Sequence, residues 1–204
     1  MMPAQLSPTP VSPVADALAA TAFVSGDKAA VLSLADISRQ SRFGCKGPGA
    51  INWLTAQGVP VPAQPNTVCA LSNGKGRVLR LGMTEFLIEG DAALVDSLST
   101  APRASGVYPV LRQDACLLLQ GRQLRSLLLQ SCNVNFDALD LAAAPVVLTS
   151  MVGVGVTVMP ENINGALAYR VWCDGTYGDY LWQTLRTIAE DLGGGAVMAD
   201  DTIF

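Results

Sequence analysis

The sequence contains no histidine, which removes the side chain that most often serves as a general base and as a metal ligand near neutral pH. Its five cysteines are scattered without Cys-x-x-Cys spacing, at Cys45, Cys69, Cys116, Cys132 and Cys173. No signal-peptide pattern precedes them. We therefore expect reduced thiols, a cytoplasmic location, and neither a zinc nor an iron–sulfur site.

Charge is scarce as well. Charged residues make up 15% of the 204 residues, below the roughly 25% of ordinary soluble domains. The net charge is −4, with only three lysines. Because phosphate backbones are bound by clustered Lys and Arg, nucleic acid is not an expected partner.

Long apolar runs are also missing, since Arg, Asp, Gln or Gly interrupts each one before the ~18–20 residues needed to cross a bilayer. A membrane is therefore not an expected partner. Hydrophobic residues nevertheless reach 50%. Two interpretations follow: an alanine- and leucine-rich soluble protein, or a subunit whose apolar surface is covered by partners.

The stretch 37–57, ISRQSRFGCKGPGAINWLTAQ, changes from an alternating pattern to a helical one across Gly47, Pro48 and Gly49. Glycine permits a sharp turn, and proline suits the first position of a helix. Beyond them, Ala50, Trp53 and Leu54 lie at helical spacing. The stretch predicts a strand, a tight turn and a helix that lies back on the strand.

The pattern recurs later in the chain. Residues 108–119 are strand-like, and Gly121 precedes a run of leucines at helical spacing, as Gly47 precedes the first helix. We predict an α+β fold made of two tandem, interlocked strand-helix-strand-strand-helix units. The predicted organisation is a flexible arm over 1–24, a domain over 25–195 with repeats at about 25–104 and 105–195, and a tail over 196–204.

Further elements follow from local pattern. We predict strands at 31–37, 68–71, 78–81, 86–88, 146–148, 151–158 and 167–172. Asp91 is a predicted N-cap for a short helix, and Asp174 or Thr176 for the last one. The apolar face predicted for the last helix, which should stop at residues 193–195, consists of Tyr177, Tyr180, Leu181, Thr184, Leu185, Ile188 and Leu192.

Two short motifs are open to a chemical interpretation. Lys46 could lower the pKa of the Cys45 thiol, but no histidine is present to act as its base, so a small apolar strand residue is favoured. The turn at 47–49 could hold an anion on its N–H groups; Pro48 removes one donor, so a structural turn is favoured.

Paired acids and tryptophans are further candidates. Asp137 with Asp140, and Asp200 with Asp201, resemble carboxylate pairs, although their surroundings suggest solvated loops and tails. The three tryptophans are either interface anchors or core residues: Trp53, Trp172 and Trp182. No catalytic residue and no metal ligand is predicted, and no cofactor-binding residue is identified.

Four segments resemble a known superfamily. They are LADISRQSRFGCKGPGAINWL (34–54), QDACLLLQGRQLRSLLLQSC (113–132), APVVLTSMVGVGVTV (144–158) and ALAYRVWCDGTYGDYLWQTL (166–185). They are similar to the amino-terminal folate-binding fold of the glycine-cleavage T-protein, or aminomethyltransferase. Within that superfamily the short length, the SPVAD lead-in (12–16) and the YGDYLW helix start are most similar to the sarcosine oxidase gamma subunit family.

The resemblance implies an accessory, non-catalytic subunit of a heterotetrameric sarcosine-oxidase-like complex, which oxidatively N-demethylates an amine. Its partner would be the large folate- and flavin-binding subunit; flavin, NAD and tetrahydrofolate would be held by partner chains. The chain departs from the T-protein pattern because no acid lies between Leu54 and Thr84, and because Tyr169-Arg170 replaces Phe-Glu. The alternatives are a free-standing folate-binding aminomethyltransferase-like protein and a ligand-free homo-oligomeric scaffold.

Overall fold

Two β-sheets stacked face to face form the centre of the molecule, and helices cover their outer faces; the computed structural model describes residues 11–199. The strands are β1 (Ser33–Asp36), β2 (Arg42–Lys46), β3 (Thr67–Ala70), β4 (Arg77–Arg80), β5 (Glu85–Glu89), β6 (Tyr108–Val110), β7 (Ala115–Gln120), β8 (Val147–Met151), β9 (Val154–Ile163), β10 (Ala166–Cys173) and β11 (Gly195–Ala196). The six-stranded sheet has the order β11-β1-β7-β10-β9-β8, and the five-stranded sheet has the order β3-β4-β5-β2-β6. All neighbouring strands are antiparallel except β1 and β11, which are parallel.

The helices are α1 (Ala15–Ala19), α2 (Asp27–Val31), α3 (Ala50–Ala56), α4 (Ala92–Thr100), α5 (Leu124–Ser131) and α6 (Gly178–Asp191). Short 3₁₀ turns occur at Phe136–Ala138, Leu141–Ala143 and Gly175–Tyr177. Helices α3 and α4 pack on the five-stranded sheet, and α5 and α6 pack on the six-stranded one. Among residues 11–199, no helix has both the length and the hydropathy required to cross a bilayer.

The chain repeats one order of elements. From β2 to β6 it reads strand, helix, three strands, helix, strand, and from β7 to β11 it reads the same. In both sheets the first strand of the unit pairs with the fourth, and β1 is inserted between β7 and β11 of the second unit. This topology confirms the predicted α+β fold with two interlocked units. Their residue boundaries, like those of the arm and the tail, stay predictions.

The two helix-opening glycines have the same role. Gly47 has a φ of +117° and Gly121 a φ of +134°, in the region that disfavours side chains. A Cβ at Gly47 would lie 2.2 Å from the carbonyl oxygen of Gly106, and one at Gly121 would lie 2.6 Å from that of Val31. Both turns therefore need glycine for backbone angle and for space.

Three strand predictions were wrong in their limits. The predicted strand 151–158 starts at the last residue of β8 and crosses a turn at 152–153 into β9. The predicted strand 31–37 is shortened to β1, since α2 extends to Val31. The predicted strand 108–119 is two strands, β6 in the five-stranded sheet and β7 in the six-stranded one, separated by residues 111–114. Apolar residues occur on both sides of this crossing, so the pattern did not reveal that the chain changes sheets.

Helix α6 packs with a face that differs from the predicted one. Tyr177 and Tyr180 are 55% and 53% exposed. The buried residues are Gly178, Leu181, Trp182, Leu185 and Ala189. Trp182 and Ala189 lie three and four residues from Leu185, so they are on the same face of the helix. The buried face therefore includes these two residues and excludes the two tyrosines. Asp174 caps the preceding 3₁₀ turn through the N–H of Thr176, at 2.9 Å.

The predicted cap at Asp91 is confirmed, and residues 14–21 make contacts that the sequence did not predict. The side chain of Asp91 accepts a hydrogen bond from the N–H of Leu94 at 2.8 Å and caps α4. At the amino-terminal side, Val14 is buried, and the hydroxyl of Thr21 accepts from the Nε1 of Trp182 at 3.4 Å. Residues 14–21 therefore contact the six-stranded half of the molecule.

Candidate functional site

Five charged side chains meet where the two sheets face each other, and we call this group the ionic seam. Its members are Arg42, Arg77, Glu89, Glu161 and Arg170, on β2, β4, β5, β9 and β10. Alternation along each strand explains their direction. On β5, Phe86 and Ile88 pack towards α3 and α4, while Leu87 packs between the sheets, so Glu89 faces the second sheet.

Glu89 is the centre of the ionic seam. Its Oε1 accepts hydrogen bonds from the Nε of Arg42 at 2.7 Å and from the Nε1 of Trp172 at 2.9 Å. Its Oε2 lies 3.3 Å from Nη1 of Arg170 and 3.8 Å from Nε of Arg77. One carboxylate therefore links β5 to three other strands, two in its own sheet and one in the second sheet.

Arg170 and Glu161 close the group into a ring. The Arg170 side chain is 1% exposed, and its Nε donates to Oε1 of Glu161 at 2.9 Å. Nη1 of Arg170 also donates to the side-chain oxygen of Gln40. Glu161 receives Nη1 of Arg77 at 2.5 Å, and Arg77 returns to Glu89. The paired charges offset the large cost of burying each ion alone.

The electrostatics keep Glu89 and Arg170 ionised. Burial on its own would raise the pKa of Glu89, but the guanidinium groups of Arg170, Arg42 and Arg77 outweigh it and hold this pKa below its usual range. Burial would likewise lower the pKa of Arg170, and the carboxylates of Glu89 and Glu161 reverse that effect. A carboxylate so stabilised is a weak base and arginine does not deprotonate, so the seam joins the sheets rather than transferring protons.

Cys45 is not placed for nucleophilic chemistry. It lies on β2 with no exposure, whereas Lys46 points to the exposed side of the strand. Burial raises the pKa of Cys45 to about 11, with Arg112 and Arg103 opposing the shift only in part. The thiol is therefore neutral at pH 7. The structure supports the interpretation of Cys45 as a small apolar strand residue and does not support a pKa lowered by Lys46.

The turn at 47–49 has no free donors for an anion. The N–H of Gly47 donates to the carbonyl of Thr84 at 3.0 Å, and that of Gly49 donates to the carbonyl of Gly106 at 3.1 Å. Pro48 has no N–H. The turn is therefore structural.

The acidic pairs do not form a site. Asp137 pairs with Arg125 at 2.5 Å on the surface, while Asp140 caps a 3₁₀ turn through the N–H of Ala142 at 3.0 Å. Asp200 and Asp201 lie outside the described residues. Between residues 11 and 199, no group of three or more acidic or cysteine side chains is arranged to hold a metal ion.

All three tryptophans are core residues rather than exposed anchors. Trp53, Trp172 and Trp182 are 4%, 2% and 0% exposed. The Nε1 of Trp53 donates to the carbonyl of Pro102 at 2.9 Å, so this buried polar group is satisfied.

Sequence reasoning missed Glu89 and Glu161. A signal for the seam was nevertheless present, because Arg77 and Glu89 occupy the same alternating positions as the buried Leu79 and Leu87. Charged residues at inward positions of two neighbouring strands indicate a buried ion pair.

Two solved structures share this fold. A chain of the heterotetrameric sarcosine oxidase from Corynebacterium sp. U-96, in complex with pyrrole 2-carboxylate, is 22% identical with a TM-score of 0.72, over 92% of this chain and 98% of that one. The glycine cleavage system aminomethyltransferase T from Bartonella henselae is 13% identical with a TM-score of 0.64, over 91% of this chain and 58% of that one. The chain thus spans little more than half of the aminomethyltransferase. No protein-family model matches the chain, and no curated protein matches it by sequence. These likenesses confirm the predicted fold.

Proposed function

We propose that this chain is an accessory, gamma-type subunit of a heterotetrameric sarcosine-oxidase-like complex in the cytoplasm. The observation that carries the proposal is the end-to-end fold likeness to a chain of such a complex, with 92% and 98% of the two chains covered. In the aminomethyltransferase the same fold is only 58% of a longer chain. The likeness over nearly the whole of the sarcosine oxidase chain supports a subunit role.

The ionic seam supports a non-catalytic role. The resemblance of the sequence to the folate-binding fold of the T-protein implies tetrahydrofolate, so this is the group to test against these residues. Glu89 and Glu161 are both paired with arginines, and Arg170 can donate hydrogen bonds but cannot accept them from the N–H groups of a pterin. These residues do not fit the group. We propose that flavin, NAD and tetrahydrofolate are held by partner subunits and that this chain contributes burial and position.

Exposed apolar side chains support a subunit role. Several of them project from loops and helices of the described chain: Met83, Leu111, Leu129 and Met198, at 70%, 80%, 61% and 69% exposure. A partner that covers such side chains gains hydrophobic stabilisation. The large folate- and flavin-binding subunit is the partner we propose.

Purification from the native host tests the subunit role. The chain is tagged at its own chromosomal locus and isolated from the cytoplasmic fraction. We expect it to elute with a large flavin-containing subunit, and sarcosine-dependent formaldehyde formation to elute with both. If the chain elutes without flavin while that activity elutes in other fractions, the proposal is wrong.

The isolated chain tests the two alternatives. In calorimetry with tetrahydrofolate we expect no saturable heat, and micromolar binding would instead favour a free-standing aminomethyltransferase-like protein. Light scattering gives the mass in solution. A homodimer or trimer that persists after the large subunit is added would favour a homo-oligomeric scaffold and overturn the subunit assignment.

A further inference from the structure

A cavity of about 790 Å³ lies at one end of the six-stranded sheet, where β7 ends, β10 begins and the chain leaves β11. Aliphatic side chains form most of its wall. Leu124 and Leu128 of α5 are 5% and 4% exposed and lie deep in the cavity, whereas Leu167 and Met198 are 42% and 69% exposed at its opening. The volume falls within the range of small-molecule sites, roughly 300–1,000 Å³. The cavity is therefore open to solvent and large enough for an organic ligand.

The polar side chains of the cavity that have no partner within residues 11–199 can all donate hydrogen bonds. They are the exposed guanidinium of Arg122, the side-chain amide of Gln120 and the hydroxyl of Tyr169, a residue that is only 3% exposed. Burial, with Asp137 adding to it, raises the pKa of Tyr169, so its hydroxyl keeps its proton. The carboxylate of Asp137 is itself paired with Nε of Arg125 at 2.5 Å, so these two charges offset each other. A buried hydroxyl usually has a partner, and the available donors call for an acceptor.

These side chains select an anionic ligand with an alkyl group. A cationic ligand would meet Arg122 and find no unpaired carboxylate in the described wall. A carboxylate accepts two hydrogen bonds from a guanidinium, and the partial positive charge at the N-terminus of α5, which starts at the same wall, also favours a negative charge. Since Ala30, Leu167 and Met198 supply aliphatic surface rather than a flat aromatic slot, an acyl chain suits the cavity better than a ring.

We propose that this cavity binds a free fatty acid. The carboxylate of the ligand accepts hydrogen bonds from the guanidinium of Arg122, and its acyl chain lies against Leu167 and Met198. The site does not depend on the subunit role, because its cation and its apolar wall belong to this chain; a partner that covers Met198 would close the cavity over the ligand. The competing occupants are an anionic membrane surface and residues 200–204, which lie outside the described residues.

Carboxylates of increasing length are the probes. The full chain, labelled with methyl-¹³C methionine, is titrated with hexanoate, octanoate and decanoate, and with decylamine as the cationic match. We expect saturable shifts of the Met198 methyl resonance, while Met83, which is 70% exposed on the turn between β4 and β5, does not shift. Affinity should rise about two- to fourfold per methylene, because each buried methylene adds to binding, and decylamine should bind at least about tenfold more weakly. No saturation with decanoate up to about 5 mM, or equal binding of decylamine, would overturn the proposal.

Two variants test the assigned contact. Arg122→Gln removes the cation from an exposed position, so we expect about tenfold weaker decanoate binding or more, and an unchanged midpoint of thermal unfolding. Arg39→Gln is the matched control: Arg39 is also exposed and has no ion pair within residues 11–199, but it lies at the opposite end of β1 from Ser33, which lines the cavity. We expect its affinity to stay within about twofold of the wild type. Equal losses in the two variants would show that net charge alone attracts the ligand and would contradict the contact.

Vesicles and a shortened chain test the competing occupants. We expect no co-sedimentation of the full chain with dioleoylphosphatidylglycerol vesicles, and co-sedimentation without decanoate binding would assign the cavity to a membrane surface. A chain that ends at Ala199 should bind decanoate within about twofold of the full chain. Binding that is seen only in this shortened chain would assign the cavity to residues 200–204 and overturn the proposal.

Discussion

Glu89 is the residue at which three arginines of the ionic seam converge. Glutamine at this position keeps the shape but removes the charge that offsets Arg42 and Arg170, whose side chains are 3% and 1% exposed. Removing one partner of a buried ion pair costs about 3–5 kcal/mol, because the other charge is left uncompensated. We expect Glu89→Gln to lower the free energy of unfolding by about that much in urea at pH 7.

Glu190→Gln is the control for this substitution. Glu190 pairs with Arg186 at 3.4 Å on the surface of α6, where its side chain is 50% exposed. An exposed ion pair contributes at most about 1 kcal/mol. Similar losses in the two variants would mean that the ionic seam does not join the sheets as argued.

The same residue gives a prediction on acid stability. Arginines hold the pKa of Glu89 below its ordinary value, which is about 4.3 in unfolded chains. Its stabilising contribution is therefore complete above the unfolded-state pKa and is lost as pH falls through the lower, folded-state pKa. In a urea series from pH 7 to pH 3, the stability difference between wild type and Glu89→Gln should stay constant to about pH 5 and then shrink. A difference that widens on acidification would contradict the direction of the shift.

Among the elements, the glycine turn before each helix is the feature most sensitive to substitution. Gly121 combines a φ of +134° with a carbonyl oxygen 2.6 Å from the position of a Cβ. Gly58 has a φ of +75° but open space around it. Backbone strain costs about 1–3 kcal/mol in both positions, and only Gly121→Ala adds a steric clash.

We therefore expect Gly121→Ala to destabilise the protein by at least about 1 kcal/mol more than Gly58→Ala. Urea unfolding of the two variants, side by side with the wild type, measures the difference. Equal losses would show that space at the turn before α5 is not limiting.

The same elements show how far the sequence could predict the fold. The turns at Gly47 and Gly121 and the cap at Asp91 are set by neighbours in sequence, so their signals are local and the predictions were confirmed. The crossing from β6 to β7 was missed because apolar residues occur both before and after residues 111–114, so the pattern resembles one continuous strand. The insertion of β1 between β7 and β11 depends on pairing across a long stretch of chain, which no local pattern records.

At the scale of the whole molecule, the candidate site is a product of stacking. Glu89 and Glu161 belong to different units, and they share arginines only because the two sheets face each other. Each sheet supplies ion pairs of its own, Glu89 with Arg42 and Arg77 in one and Glu161 with Arg170 in the other, and stacking adds the contacts Arg77–Glu161 and Arg170–Glu89 that join them. This explains why sequence reasoning found the fold but not the seam.

The inter-sheet layer predicts that the two halves unfold together. Leu79 on β4 has no exposure and packs in the layer that also contains Leu118 of β7. Truncating a buried leucine to alanine costs about 2–5 kcal/mol through lost burial and the cavity left behind. If the two sheets unfold as one cooperative unit, the substitution lowers the free energy of unfolding of both sheets by the same amount, including the strands that do not contain Leu79.

Hydrogen exchange followed by mass spectrometry tests this directly in Leu79→Ala. We expect peptides that cover β5 and β7 to lose the same free energy of protection, because both exchange through the same global opening. Leu129→Ala on the exposed side of α5, where Leu129 is 61% exposed, should change neither by more than about 0.5 kcal/mol. A loss confined to β5, with β7 unchanged, would show that the six-stranded half keeps its structure when the other half opens. Stacking and the ionic seam would then be contacts between two separate folding units rather than the core of one.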